Sequence, residues 1–103
     1  MKYALLSLLF FFPILEAKQV KIEKYHGHEL VLYWRPGCPY CDDVIDYMKD
    51  HKIPVQLRNI QNAQYRKELI QIGGRQQVPC LIIDGKPMYE SSCILRWLRN
   101  QNE

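Results

Sequence analysis

A chain of 103 residues, 48% hydrophobic and 24% charged, has length for one domain with one modest core. Its net charge of +3, without a basic run interleaved with aromatics, argues against nucleic acid as a partner. No internal repeat or low-complexity segment interrupts it.

Residues 1–17 differ from the rest. Lys2 precedes an apolar run, Tyr3–Leu15, closed by Glu16-Ala17. A basic start, a short apolar stretch and a small residue at its end make a secretory signal peptide, too short for a spanning helix, which needs about twenty apolar residues. Ala17 suits a cleavage site, whereas Leu15 is bulky where a small residue is preferred. An uncleaved membrane anchor through residues 1–17 is the rival reading. The protein is therefore expected to be exported or membrane-anchored if this is a true signal, and cytoplasmic if it is not. Residues 18–28 are polar and mixed, with a turn at Gly27, and read as a linker. The folded domain is expected over 29–103.

Glu29–Trp34 is predicted as a strand, its continuous apolar character suiting a buried position in a sheet. Arg35-Pro36-Gly37 then leads into Cys38-Pro39-Tyr40-Cys41. Pro39 suits the first helical position, so Cys38 falls at about the N-cap of a helix over Pro39–Lys52 whose apolar face is Val44, Ile45 and Met48. Unpaired N–H groups and partial positive charge at that helix start favour a thiolate, the reactive form of cysteine. Cys41 lies one turn on, within reach of Cys38. Pro54 ends the helix and opens a strand, Val55–Asn59, with Val55 and Leu57 alternating against Gln56 and Arg58. Asn62 caps a second helix, Ala63–Ile72, with Tyr65, Leu69, Ile70 and Ile72 on its apolar side and Gly73-Gly74 at its end. Val78–Ile83 is a strand, Asp84-Gly85 a hairpin turn and Lys86–Tyr89 its partner. Ser91 is expected to cap a last helix, Ser92–Asn100, burying Ile94, Leu95, Trp97 and Leu98.

The order β-α-β-α-β-β-α makes an α/β domain: a βαβ unit gives two parallel strands and the hairpin adds two more, the last antiparallel. The CxxC pair falls at the carboxyl end of the first strand, where open α/β sheets carry their sites. That context reads as a dithiol redox centre with Cys38 attacking and Cys41 resolving. A zinc site would need a second ligand pair, and Cys80, Cys93, His26, His28 and His51 do not supply its spacing. A structural disulfide across so small a ring would constrain the unfolded chain little.

From Glu29 to Asn100 the sequence resembles a glutaredoxin of the dithiol type, through Cys38-Pro39-Tyr40-Cys41 and through Gly74-Arg75-Gln76-Gln77-Val78-Pro79 before the third strand. The resemblance implies a thioredoxin fold, with a four-stranded mixed sheet flanked by helices. It implies that Cys38 attacks a disulfide or a glutathionylated thiol, and that Pro79 is a cis-proline facing the dithiol. Glutathione is implied as reductant and ligand: the Val78 backbone pairing with its cysteinyl part, Arg35 binding a carboxylate, and Arg75 and Tyr40 flanking the groove. Gln77 departs from the threonine common before Val-Pro, and Tyr89-Glu90-Ser91-Ser92 replaces the usual Gly-Gly and polar pair. That Glu-Ser step resembles the glutathione-binding turn of glutathione transferase N-terminal domains. There Ser91 would hold the γ-glutamyl carboxylate at a helix start, a physically sound anion site; Ser91 reads equally as a helix cap.

The resemblance thus implies a glutathione-dependent thiol–disulfide oxidoreductase acting on disulfide-bearing or glutathionylated proteins, as a monomer and without a metal. Export conflicts with it, because reduction driven by glutathione belongs to reducing compartments. Three rivals remain: a thioredoxin-like oxidoreductase that ignores glutathione, opposed by the Cys-Pro-Tyr-Cys form, Arg35 and the Glu-Ser turn; an iron–sulfur carrier ligated by Cys38 and glutathione, opposed by Pro39; and a transferase-like protein with a vestigial dithiol, disfavoured without a helical second domain. Cys80 and Cys93 read as small buried side chains, the three histidines as solvated and Trp97 as core.

Overall fold

The computed structural model describes residues 23–101. The signal or anchor reading of 1–17 and the start of the predicted linker lie outside the described residues. The elements are β1 (Leu30–Trp34), α1 (Pro39–Asp50), β2 (Gln56–Asn59), α2 (Ala63–Gly73), β3 (Cys80–Ile83), β4 (Lys86–Tyr89) and α3 (Ser91–Asn100). They form one four-stranded mixed sheet in the order β2-β1-β3-β4, the thioredoxin fold. β1 runs parallel to β2, with Val31 opposite Gln56, and antiparallel to β3, with Leu32 opposite Leu81. The reversal of strand direction therefore falls at β3, and β4, antiparallel to β3, runs the same way as β1. The expectation that only the last strand is reversed is corrected: a two-residue turn must invert the chain between β3 and β4, so one of the two has to oppose the βαβ pair.

Side chains of β1 and β3 alternate between two cores, one on each face of the sheet. Leu30, Leu32 and Leu81 meet Val44, Ile45 and Met48 of α1 and Ile94 and Leu98 of α3. Tyr33, Cys80 and Ile82 meet Leu69 of α2 and Ile60 on the other face. Two covered faces are why both strands read as unbroken apolar runs.

Element ends differ from the sequence reading where backbone geometry intervenes. α1 stops at Asp50 rather than Lys52, because Lys52 turns left-handed (φ 53°) and sends the Ile53 N–H back to the Met48 carbonyl, burying the Ile53 side chain. β3 starts at Cys80, two residues late, since Pro79 has no N–H to give a ladder. α3 starts at Ser91, not Ser92. Its N-cap is Glu90, whose backbone (φ 74°, ψ 114°) is in a region favouring glycine, and no side chain caps the helix. The assignment of Ser91 as cap is thus corrected.

The predicted apolar faces of β2 and α2 are also corrected. Leu57 is exposed on β2, an edge strand, while Arg58 turns inward; on α2 only Leu69 is fully buried, and Ile70 and Ile72 are exposed. Val55 still packs against the α1–α3 core, and an ion pair draws Arg58 toward α2. Arg58 Nη1 donates to Glu68 Oε1 (2.8 Å) and to the hydroxyl of buried Tyr33 (3.0 Å), which itself donates to Glu68 (3.0 Å). That network joins β1, β2 and α2 on the face that carries Tyr33, while Leu57, one residue away, points to the other face at the open edge of the sheet.

Residues 23–28, read as linker, pack on the domain. Tyr25 and His28 exchange backbone hydrogen bonds (2.8 and 2.9 Å) around a left-handed His26-Gly27 turn. The buried Tyr25 ring belongs to the α1–α3 core and its hydroxyl donates to the Leu98 carbonyl at 3.1 Å. His28 is not simply solvated: Nδ1 lies 2.7 Å from Asp84 Oδ2 and its ring meets Trp97 edge-on. Among the described residues, no helix is long and apolar enough to cross a membrane.

Candidate functional site

β1 ends at Trp34, and Arg35-Pro36-Gly37 turns the chain, with Gly37 at φ 75°, into the start of α1. Cys38 is the helix N-cap, in extended conformation, with Pro39 in the first turn. Its carbonyl accepts the first helical bond, from the Asp42 N–H at 3.0 Å. Its sulfur occupies the place of a capping oxygen and accepts the Cys41 N–H at 3.2 Å. The two cysteines form a disulfide with Cα atoms 5.2 Å apart. Cys38 is 4% exposed and Cys41 wholly buried, so an incoming thiol reaches the pair through the Cys38 sulfur. A donor fixed on that sulfur, together with the helix start, stabilises negative charge there once the bond is reduced.

Tyr40, between the two cysteines, is 66% exposed and lines a cleft of about 380 Å³. One wall is the loop before β3, with Gln77, Val78 and Pro79; the other is the turn into α3, with Glu90, Ser91 and Ser92. The Val78–Pro79 peptide is cis. Of the six residues expected around glutathione, Tyr40, Val78, Pro79 and Ser91 thus meet at this cleft, whereas Arg35 and Arg75 do not line it. The Arg35 guanidinium donates to the Pro36 carbonyl at 3.3 Å, and that of Arg75 lies over the Tyr89 ring, 4.1 Å from its centroid. Sequence reasoning missed Gln77, Glu90 and Ser92 as lining residues. The Glu-Ser step was the available signal for Glu90; for the other two, position beside a motif residue was the only one.

Two further cysteines differ from the pair. Cys80 follows the cis-proline and is fully buried; burial pushes its thiol up to about 11, although the Tyr89 hydroxyl and a Met88 backbone bond pull the other way. Cys93, on α3, is half-buried rather than buried as expected. Among the described residues, no group of three or more His, Cys, Asp or Glu side chains is placed to hold a metal ion.

A family model described as glutaredoxin matches residues 30–88, more than half of the chain. No curated protein matches the sequence. Among solved structures, glutathione transferase Omega 3C from Trametes versicolor is 26% identical, with a TM-score of 0.63 over 70% of this chain; this chain spans only 33% of the transferase. A buckwheat glutaredoxin–glutathione complex is 20% identical, with a TM-score of 0.58, covering 73% of this chain and 72% of that one. The solution structure of a dithiolic glutaredoxin from Trypanosoma brucei brucei is 21% identical, with a TM-score of 0.56, covering 75% and 82%. The two glutaredoxins share the fold, and the family match contains both cysteines and the cis-proline: the chain belongs to the glutaredoxin family, and its Cys38–Cys41 pair is a thiol–disulfide redox centre.

Proposed function

We propose that the protein is a glutathione-dependent oxidoreductase that reduces glutathionylated thiols and protein disulfides. The observation that carries this is the cleft wall itself: Tyr40, between the cysteines, faces the same space as Val78, cis-Pro79 and the Ser91 helix start. The groove offers backbone donors and acceptors for a cysteinyl peptide, and a helix N-terminus for a carboxylate. Glu90, on the same wall, supplies a negative charge for an ammonium group.

In the reduced protein the Cys38 thiolate attacks the glutathione sulfur of a glutathionylated thiol. A Cys38–glutathione disulfide forms and the substrate leaves as its thiol. A second glutathione thiolate then attacks the bound glutathione sulfur, giving glutathione disulfide and restoring the Cys38 thiolate. Alternatively Cys41 attacks Cys38 and expels glutathione; two glutathione molecules then reduce the Cys38–Cys41 disulfide and leave as glutathione disulfide. Asp42, in the first turn of α1, opposes negative charge at Cys38 and moderates its activation; Asp43, expected beside it, lies beyond that turn.

The test is reduction of a glutathionylated peptide with glutathione, its reductase and NADPH. Turnover is expected, abolished in Cys38→Ser and retained in Cys41→Ser, since glutathione can replace the second cysteine. Exchange with plain disulfides but none with the glutathionylated peptide would overturn the reading in favour of a glutathione-independent oxidoreductase. We also propose that residues 1–17 direct export, in which case a membrane partner keeps the dithiol reduced outside the glutathione-rich compartment and the substrates are exported thiols; mass spectrometry is expected to find Lys18 at the N-terminus of the exported protein, and an intact Met1 on a cytoplasmic protein would overturn the export reading.

A further inference from the structure

Tyr89, the last residue of β4, stands between the two walls of the cleft. Its backbone runs directly into Glu90, Ser91 and Ser92 on one wall. Its half-buried side chain crosses to the segment that leads into the other. The hydroxyl donates to the Arg75 carbonyl at 2.9 Å, two residues before Gln77, and the Arg75 guanidinium covers the ring. At the far end of the same loop, Cys80 is the cross-strand partner of Tyr89. One residue therefore holds the loop 74–79 at both ends, by its hydroxyl at Arg75 and by its backbone, with the same hydroxyl, at Cys80.

Gly73 adds an independent observation. A Cβ at this position would collide with the Tyr89 hydroxyl oxygen, with ring carbons following at 2.9 and 3.1 Å. Gly73 is the last residue of α2 and is not among the glycines with positive φ, so its conformation does not require glycine. Alanine is the better helix former. The absent side chain leaves a notch, and the tyrosine hydroxyl occupies it.

We propose that Tyr89 is a positioning residue that sets the separation of the two cleft walls and thereby the affinity for the glutathione part of a substrate. The inference rests on the glutathione-dependent reading above. Tyr89 takes no part in exchange at Cys38 and Cys41.

Tyr89→Phe removes the hydroxyl and keeps the ring. Gly73→Ala keeps Tyr89 and displaces its hydroxyl. Each is compared with the unaltered protein in glutathione-driven reduction of the glutathionylated peptide, in reduction of the Cys38–Cys41 disulfide by dithiothreitol, and in thermal unfolding. In both variants KM for the peptide is expected to rise about threefold to tenfold, the size of one lost hydrogen bond, with kcat within about twofold. Dithiothreitol reduction is expected to keep its rate. An unchanged KM in both variants overturns the proposal. So does a parallel loss in every assay with a lowered Tm, or loss of the fold in both, because Tyr89 would then be only structural. Failure of the unaltered protein to turn over the glutathionylated peptide overturns the glutathione reading itself, and is seen before any variant is made.

Discussion

The four cysteines illustrate how position, more than residue type, decides chemistry. Cys38 caps a helix and holds an N–H on its sulfur, while Cys80 lies on β3, fully buried against Leu69 of α2. Burial raises the Cys80 thiol from 9.0 to about 11, so it stays protonated in the folded chain. The sign follows: this group's contribution to stability is complete below 9.0 and is lost as pH rises through about 11. With the Cys38–Cys41 bond intact, iodoacetamide at about pH 8 is expected to label Cys93 and spare Cys80 until the protein is unfolded. Rapid labelling of Cys80 in the folded protein would contradict its placement. Glu90 is the other instructive residue. Its φ of 74° places a non-glycine residue where L side chains are rare, and the position lies in the cleft wall. Unlike His26, Lys52 and Asp84, whose positive φ serves turns, Glu90 combines it with a place in the cleft wall.

At the scale of elements, α2 is held by few contacts. Leu69 is its one fully buried residue, and Glu68 ties it to β1 and β2 through Tyr33 and Arg58. Leu69→Ala is expected to cost about 2–5 kcal/mol, as for other buried leucines. Ile70→Ala and Ile72→Ala, both on exposed side chains, are expected to stay within about 0.5 kcal/mol. Urea unfolding of the three variants checks this, and equal losses would restore the amphipathic face expected from sequence. That face was misjudged because Leu69, Ile70 and Ile72 are nearly consecutive, and a helix presents neighbouring positions 100° apart. Only the partner surface decides which of them is covered. The α1 and α3 faces were legible because Val44, Ile45 and Met48, and Ile94 and Leu98, recur at helical spacing against covered sheet.

At the scale of the molecule, residues 23–29 latch the chain onto the β3–β4 turn and the end of α3. Asp84 accepts the Glu29 N–H at 2.9 Å and the His28 Nδ1–H at 2.7 Å, and these two bonds, the backbone one first, hold its carboxyl below the ordinary 3.8. A lowered acid contributes stability above its ordinary value and loses it as pH falls through the lowered one. Asp84→Asn is therefore expected to have a lower urea midpoint than the unaltered protein at neutral pH, the gap closing as pH falls below 3.8. A gap independent of pH would show that the charge plays no part in the latch. The same segment looked like linker in the sequence because its one core residue, Tyr25, is flanked by polar positions. A single aromatic gives no periodicity to detect.

The sequence by itself determined the number and order of elements, the helix-start position of Cys38, the buried character of β1, and the family. Each of these depends on local terms: proline at a helix start, apolar runs of strand length, glycine at turns. Only the tertiary structure decided which strand reverses, which face of β2 and α2 is covered, that Arg35 and Arg75 stay out of the cleft wall, and that Tyr89 joins its two sides. Those depend on contacts between residues far apart in the chain, such as Arg58 with Tyr33 and Tyr89 with Gly73, which no local pattern encodes.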